Sequence, residues 1–215
     1  MLENPKSLRL KVSAGGRRKS IAELATRKKL FLLCCATFGM VVLSAQANSS
    51  SSPPPALLPL LMTLNDRLNM GDLVALSKWD SGKPIQDSLR EAQVIDGAKK
   101  LALDWLLDQD AVGELIAAQM EANKLVQYGL LSEWQAAGKA PDVPRPDLAN
   151  QVRPRLDELQ KLLLHHYAGF LPYRNDPLCM SWIAQLRPRL TKDNLHKIAL
   201  IRATGEICAS NIRRA

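Results

Sequence analysis

Apolar residues recur every three or four positions along most of the chain after residue 55, which is the spacing of helices that bury one face. The clearest stripe lies in the first of these segments and consists of Leu57, Leu61, Leu64, Leu68 and Ala75. No segment alternates apolar and polar residues with period two over a useful length. The pattern therefore predicts an all-α fold, a helical bundle of about six helices.

Breaks rich in Gly, Pro and Asp divide the predicted helices. The expected helices cover about residues 56–79, 84–107, 111–137 and 147–170, a short segment around 179–186, and a final segment from 191 onward that carries Leu195, Ile198, Ile201 and Cys208. Asp87 and Asp147 stand where an N-cap is expected, because a carboxylate can accept from the free N–H groups of a first helical turn.

A second series of residues, Arg67, Gly71, Val74 and Lys78, runs beside the apolar stripe of the first helix. Arg67 and Lys78 are eleven residues apart, about three helical turns, so they point the same way with roughly 16 Å between them. Arg90 follows twelve residues later, at the start of the next helix. An unpaired charge beside a buried face is costly, so these cations either extend to water or bind an anionic ligand. The second interpretation predicts a site for an anionic ligand.

A polar stripe is predicted on the third helix, where Gln119, Asn123 and Gln127 are spaced four residues apart. On pattern alone it is equally typical of a solvated face and of a binding surface.

Residues 1–47 have the three parts of a secretory signal peptide. A basic region ends at residues 27–29, an apolar run covers 30–43, and Ala45-Gln46-Ala47 is a small-x-small cleavage site. The apolar run is short for a membrane span of about 20 residues, but an uncleaved anchor is the alternative. A Ser/Pro-rich linker, residues 48–55, separates this leader from a helical domain, residues 56–215.

The formal charge of +8 belongs to the leader. Residues 1–47 hold nine of the 29 Lys/Arg and two of the 21 Asp/Glu, so residues 48–215 carry 20 basic and 19 acidic side chains. A body this close to neutral has no polybasic surface for phosphates, which excludes a nucleic-acid partner. Contact with a membrane is expected only through the export signal.

Two cysteines, Cys179 and Cys208, remain outside the leader. A lone pair in an exported protein predicts a disulfide, with two free buried thiols as the alternative. The neighbouring His165 and His166 face different directions on a helix, and no His/Cys cluster has metal-ligand spacing, so no metal site is expected.

Two runs of the sequence resemble the secreted class of all-α chorismate mutases. One extends over residues 73–91 and contains Lys78-Trp79, Pro84-Ile85, Asp87 and Arg90-Glu91; the other is Gln119-Met120-Glu121-Ala122-Asn123-Lys124-Leu125-Val126-Gln127-Tyr128. Asn65-Asp66-Arg67-Leu68 and Arg153-Pro154-Arg155-Leu156-Asp157 fall where that class has its other cations, and Cys179 and Cys208 match its disulfide. The resemblance covers about residues 57–212.

The resemblance implies a Claisen rearrangement of chorismate to prephenate, which needs no covalent intermediate and no cofactor. Arg67 and Arg153 would then bind carboxylate, and Arg90 would bind carboxylate or support the enolpyruvyl end. Lys78 would donate to the ether oxygen and a carboxylate, and Gln127 would be the second donor to that oxygen. The remaining expected substrate contacts are Asp87 and Glu91, near the ring hydroxyl or the cations, and Asn123, near a carboxylate.

The same resemblance implies a homodimer in which each site lies within one protomer. Two other functions stay open from the sequence. One is an isochorismate pyruvate lyase-like enzyme, which shares the fold and the shape of the substrate. The other is a secreted helical binding protein that has lost catalysis, although such a protein has no need for inward-facing cations.

Overall fold

The computed structural model describes residues 52–209, and the predicted signal peptide lies outside them. The described residues form six α-helices, with no strand between residues 52 and 209. The helices are α1 (Leu57–Ser81), α2 (Ser88–Ala102), α3 (Gln109–Ala137), α4 (Arg153–Phe170), α5 (Cys179–Leu186) and α6 (Asn194–Ala203). Short helical turns precede or follow them at Leu103–Trp105, Leu148–Val152, Leu171–Tyr173 and Arg187–Arg189. The predicted all-α fold is confirmed.

Four aspartates fix where helical segments begin. Asp87, Asp108 and Asp193 each accept a hydrogen bond from a main-chain N–H in the first turn of α2, α3 and α6. Asp147 accepts two such bonds at the start of the turn Leu148–Val152, which leads into α4. These bonds satisfy N–H groups that have no partner inside a helix. The caps predicted at Asp87 and Asp147 are therefore confirmed.

The core lies between α1 and the helices that surround it. All five residues of the predicted apolar stripe on α1 are fully buried. The four leucines share a core cluster with side chains of α3, α4 and α6, among them Leu115, Leu163 and Leu200, whereas Ala75 belongs to a second cluster with Trp134. Full burial of a leucine side chain contributes about 1.5–3 kcal/mol, so this stripe is the main anchor of α1.

The last helix differs from its prediction. It begins at Asn194 rather than Thr191 and ends at Ala203, before Cys208. Its buried residues include Ala199 and Leu200, while Ile198 and Ile201 are exposed. After Ala203 the chain continues as a turn, in which the hydroxyl of Thr204 lies 2.8 Å from the main-chain oxygen of Leu200 and 3.1 Å from that of Ile201.

The predicted disulfide is present between Cys179 and Cys208, whose Cα atoms are 5.9 Å apart. It joins the first residue of α5 to the turn that follows α6 rather than joining two helices. Closing this loop in the unfolded chain is worth about 3–4 kcal/mol in the chain-entropy model. Both cysteines belong to the main core cluster, so the bond joins α5 to the turn after α6 inside the packed interior.

Within residues 52–209, no helix is long and apolar enough to cross a bilayer. His165 is exposed and His166 is partly buried on α4, in agreement with the expectation that they face different directions. The ring of His165 stacks on Trp105, and His166 shares a hydrogen bond with Thr63, 2.9 Å away. Both histidines therefore have structural partners.

Candidate active site

A cavity of about 180 Å³ opens between α1, α2, α3 and the start of α4. Every substrate-contacting residue predicted from the sequence lines it: Arg67, Lys78, Asp87, Arg90, Glu91, Asn123, Gln127 and Arg153. The apolar part of its wall comes from Val74, Ile85, Val94, Met120, Leu148 and Leu156. The cations that are far apart in the sequence are thus brought to one site.

Arg67 lies deep in the wall of this cavity and is only 7 % exposed. One guanidinium nitrogen, Nη1, donates to the main-chain oxygen of Leu156 at 2.8 Å, which ties α1 to α4. Its Nε has no hydrogen-bond partner within residues 52–209. Burial lowers the pKa of Arg67 to about 10, while the charge of nearby Asp157 acts to raise it. The side chain stays cationic at neutral pH, and an incoming anion would satisfy the free N–H.

Lys78 approaches the cavity from the last turns of α1. Its ammonium donates to the main-chain oxygen of Pro84, 2.7 Å away, in the loop that leads to α2. The end of α1 is held against α3 by Trp79 and Trp134, whose rings meet edge to face with 6.1 Å between their centroids. The position of Lys78 is therefore fixed by the packing of the helix end against α3 and by the hydrogen bond to the loop.

The start of α2 supplies a second wall. Asp87 caps the helix by accepting from the N–H of Arg90 at 3.1 Å, and its own N–H donates to Glu91 at 3.2 Å. Both carboxylates therefore shape this turn. Arg90 lines the cavity and, among the described residues, makes no ion pair with a carboxylate. Its guanidinium remains available to an anion.

Lys124 is a cation of the cavity that the sequence reasoning missed. Its ammonium lies 3.0 Å from Glu91, 2.7 Å from Glu121 and 3.0 Å from the side-chain oxygen of Gln86. Burial lowers the pKa of Lys124, but the two carboxylates outweigh burial and raise it. The lysine links α3 to the loop before α2. Lys124 follows Asn123 in the sequence, and its side chain reaches Glu91 because α2 packs beside α3. The sequence alone does not show this contact.

The polar stripe of α3 faces inward, so the interpretation as a solvated surface was wrong. Gln119 and Gln127 are buried and Asn123 is partly buried. Asn123 donates from Nδ2 to the main-chain oxygen of Arg67 at 3.1 Å, and Gln127 donates from Nε2 to Oδ1 of Asn123 at 2.7 Å. Polar side chains at a buried helix face are unusual unless they are bonded or await a ligand.

Arg153 reaches the cavity through the loop before α4. Asp147 caps the turn Leu148–Val152, and Leu148 lines the cavity. Arg145 fastens this loop to α1 by donating from Nε to Asp80 at 2.9 Å. Arg153 itself is exposed at the first position of α4, and in residues 52–209 no carboxylate pairs with it. The start of α4 thus presents to the cavity a guanidinium that has no ion-pair partner among residues 52–209.

Three further polar residues, Gln119, Asp157 and Gln160, line the cavity without having been predicted to. Asp157 and Gln160 follow Arg153 at intervals of four and three residues, so all three lie on one face of α4. This spacing could have predicted that Asp157 and Gln160 line the cavity. With five cations and three carboxylates, the cavity carries a formal excess of positive charge. Such a site favours a small anion. Among residues 52–209, no three His, Cys, Asp or Glu side chains are arranged to hold a metal ion.

Comparison with known proteins gives the same family from sequence and from structure. The family model for chorismate mutase type II matches residues 59–128. A crystal structure of chorismate mutase from Burkholderia phymatum superimposes with a TM-score of 0.69 and 40 % identity, covering 72 % of this chain and 97 % of that one. The secreted chorismate mutase of Yersinia pestis superimposes with a TM-score of 0.60 and 25 % identity, over 69 % of this chain and 94 % of that one.

A curated relative, the secreted chorismate mutase of Mycolicibacterium smegmatis, is 30 % identical over 123 residues, which are 57 % of this chain and 67 % of the relative. The matched family segment spans α1, α2 and most of α3. The segment contains seven of the eight residues predicted to contact the substrate, all except Arg153. The likeness therefore extends over the helices that build the cavity, and the chain belongs to the chorismate mutase family.

Proposed function

We propose that the protein rearranges chorismate to prephenate in the cavity between α1, α2, α3 and α4. The observation that carries the proposal is the convergence of Arg67, Lys78, Arg90 and Arg153 on one cavity with an amide donor, Gln127. Chorismate is a dicarboxylate with an ether oxygen between its two halves. The cavity offers cations for the carboxylates and separate donors for the oxygen.

The reaction is unimolecular. The bond between the ether oxygen and the ring breaks while a carbon–carbon bond forms between the enolpyruvyl group and the ring, and negative charge develops on the oxygen. A protein accelerates such a step by holding the compact reactive conformer and by aiming donors at the developing charge. Neither a nucleophile nor a cofactor enters this mechanism.

In this mechanism, Arg67 and Arg153 bind carboxylate. Arginine suits this role because its planar guanidinium can donate two parallel hydrogen bonds to a carboxylate. The unpaired Nε of Arg67 and the unpaired guanidinium of Arg153, among the described residues, support these roles. Arg90, on α2, binds carboxylate or supports the enolpyruvyl end.

Lys78 and Gln127 would donate to the ether oxygen. A lysine ammonium has three donors, so the bond from Lys78 to Pro84 leaves two for the substrate. Gln127 has a second amide hydrogen beyond the one given to Asn123. Donors that strengthen their bonds as charge develops stabilise the transition state more than the ground state.

Asp87 and Glu91 would face the ring hydroxyl. Both are already bonded within the first turn of α2, and Glu91 is also paired with Lys124. We infer that Asp87 and Glu91 orient the cations and accept from the hydroxyl with their remaining lone pairs. Asn123 was expected to contact a substrate carboxylate. Its bond to the backbone of α1 suggests that it positions Gln127.

We further infer that the protein is exported and that each site lies within one protomer. The signal-peptide pattern of residues 1–47 and the word "secreted" in the names of relatives support export. The cavity takes all of the proposed cations from a single chain, which supports a self-contained site. A homodimer stays a prediction, tested by light scattering of the purified protein.

The proposal is tested by incubating the protein beginning at Asn48 with chorismate and, separately, with isochorismate. Loss of chorismate absorbance with formation of prephenate is the expected result. Release of pyruvate from isochorismate without prephenate formation would favour the lyase. No turnover of either compound would favour a binding protein that has lost catalysis.

A further inference from the structure

The side chain of Asn123 crosses from α3 to α1 and ends on the backbone. Its Nδ2 lies 3.1 Å from the main-chain oxygen of Arg67. Because a carbonyl oxygen can only accept a hydrogen bond, the edge of the Asn123 amide that faces α1 must be its NH₂ group. The other edge, Oδ1, therefore faces Gln127.

That orientation determines the orientation of Gln127. Oδ1 of Asn123 can only accept, so the group of Gln127 that lies 2.7 Å from it must be the NH₂ group. Turning the Gln127 amide over would place two carbonyl oxygens in contact with no proton between them. One amide hydrogen of Gln127 is bonded to Asn123, and the other is free to donate to a ligand.

Gly71 provides the space for this contact. It lies one turn beyond Arg67 on α1, and a Cβ at Gly71 would be 3.0 Å from Nδ2 of Asn123, 3.3 Å from its Cγ and 3.3 Å from Cγ1 of Val126. All three distances are shorter than ordinary van der Waals contact, so a methyl group here would displace the amide. Glycine is a poorer helix former than alanine, so its presence inside α1 has a packing reason.

We propose that Asn123 is a positioning residue, which uses the main-chain oxygen of Arg67 as a fixed reference and holds Gln127 with a donor toward the reacting oxygen. This inference rests on the proposed function of the cavity. It replaces the expected contact of Asn123 with a substrate carboxylate. Gly71 contributes to this arrangement because its missing side chain leaves room for the Asn123 amide to reach the backbone of α1.

A double-mutant cycle of Asn123→Ala and Gln127→Ala tests the proposal. If Asn123 acts through Gln127, Asn123→Ala lowers kcat by roughly ten- to a hundredfold and changes KM by less than about threefold. In the Gln127→Ala background, Asn123→Ala then changes kcat by less than about twofold. If the two effects multiply, or if KM rises in place of the fall in kcat, Asn123 contacts the substrate directly and the proposal is wrong.

Gly71→Ala tests the same arrangement without removing a polar group. We expect a several-fold lower kcat, because the methyl group displaces the amide of Asn123. The Tm measures the balance between the better helix propensity of alanine and its close contact with Val126. Gly97→Ala is the matched control, since a Cβ at Gly97 on α2 meets nothing within 4 Å. A Gly71→Ala protein with the kcat of the Gly97→Ala control would overturn the proposal.

A measurement on the ligand-free protein separates this proposal from the proposed function. The side-chain NH₂ of Gln127, observed by ¹⁵N NMR, should exchange slowly with water in the parent and faster in Asn123→Ala, because its bonded hydrogen loses its acceptor. An unchanged signal would overturn the positioning role. An inactive parent protein would instead overturn the proposed function, and the NMR result would then decide whether Asn123 orients Gln127.

Discussion

The ammonium of Lys78 donates to the main-chain oxygen of Pro84 across 2.7 Å, and this bond joins the end of α1 to the loop that begins the opposite wall of the cavity. The loop is short, and Gly82 begins it in a left-handed conformation with φ of 63°. Lys78 therefore helps to shape the cavity and, in the proposed mechanism, stabilises the negative charge that develops on the ether oxygen of the substrate.

Lys78→Ala should lower kcat by about 10²–10³-fold or more, because it removes a donor aimed at the developing negative charge. This corresponds to about 3–4 kcal/mol of lost transition-state stabilisation. Steady-state kinetics with chorismate measure it. Lys83→Ala is the control, since Lys83 is exposed in the same loop and does not line the cavity. A weaker substrate affinity with kcat intact would contradict the role of Lys78.

Arg153→Ala should lower kcat/KM by roughly ten- to a hundredfold, which is the loss of a hydrogen bond to a charged group. Most of the change should be in KM, since a cation at the mouth of the cavity binds substrate and transition state alike. Arg155→Ala is a matched control two residues away, because Arg155 pairs with Glu158 outside the cavity. Equal effects of the two substitutions on kcat/KM would contradict a role of Arg153 in binding the substrate.

Gln127→Glu should shift the pH optimum to acidic values. An amide donates at any pH, so the parent should have a flat profile from pH 5 to 8, whereas a carboxyl group donates only when protonated. Gln127 is only 5 % exposed, so burial would also raise the pKa of the new carboxyl group. Profiles of kcat/KM for both proteins provide the measurement. Identical profiles would exclude Gln127 as a donor in the reaction.

From the surroundings of His196 we expect the free energy of unfolding to depend on pH. It is 1 % exposed on α6, and its ring nitrogens lie 3.0 Å from Asp72 and 2.9 Å from Asp193. Burial alone would lower the pKa of His196 and Lys192 adds to that, but the bonds to the two carboxylates prevail and raise it. Burial alone would raise the pKa of Asp72, and its bonds to His196 and Lys192 prevail and lower it.

A raised histidine pKa stabilises the fold fully below the ordinary pKa of about 6.5, and this contribution is lost as the pH rises through the value in the folded protein. The lowered pKa of Asp72 stabilises the fold above the ordinary carboxyl range and is lost on acidification. His196→Gln should therefore reduce the free energy of unfolding by about 1–3 kcal/mol at pH 6, and by less at pH 9. Urea titrations at both pH values test this, and an equal loss at both would contradict a charged His196.

Much of the site was predictable from the sequence because helical spacing is periodic. The stripe of α1 predicted both its buried face and the inward direction of Arg67 and Lys78, and the structure confirms the burial of that face. Asp87 and Asp147 were predictable as caps because a carboxylate at a helix start has few other roles. Local chemistry fixed these features without knowledge of the packing.

The features that were missed depend on contacts between helices. Lys124 lies beside Asn123 in the sequence, and only the approach of α2 directs it to Glu91. On α6, apolar spacing pointed to Ile198 and Ile201, but the buried face is set by His196 and its carboxylates on α1 and at the start of α6. A buried histidine that is held by hydrogen bonds to two carboxylates leaves no trace in a hydrophobic pattern.

The most direct test of the proposed function is the rate at which the protein beginning at Asn48 consumes chorismate, followed by the loss of chorismate absorbance. Enzyme-dependent turnover to prephenate, with a kcat in the common range of about 1–10³ s⁻¹, is the predicted result. A rate no higher than that of chorismate alone in the same buffer, from protein shown to be folded by circular dichroism, would contradict it.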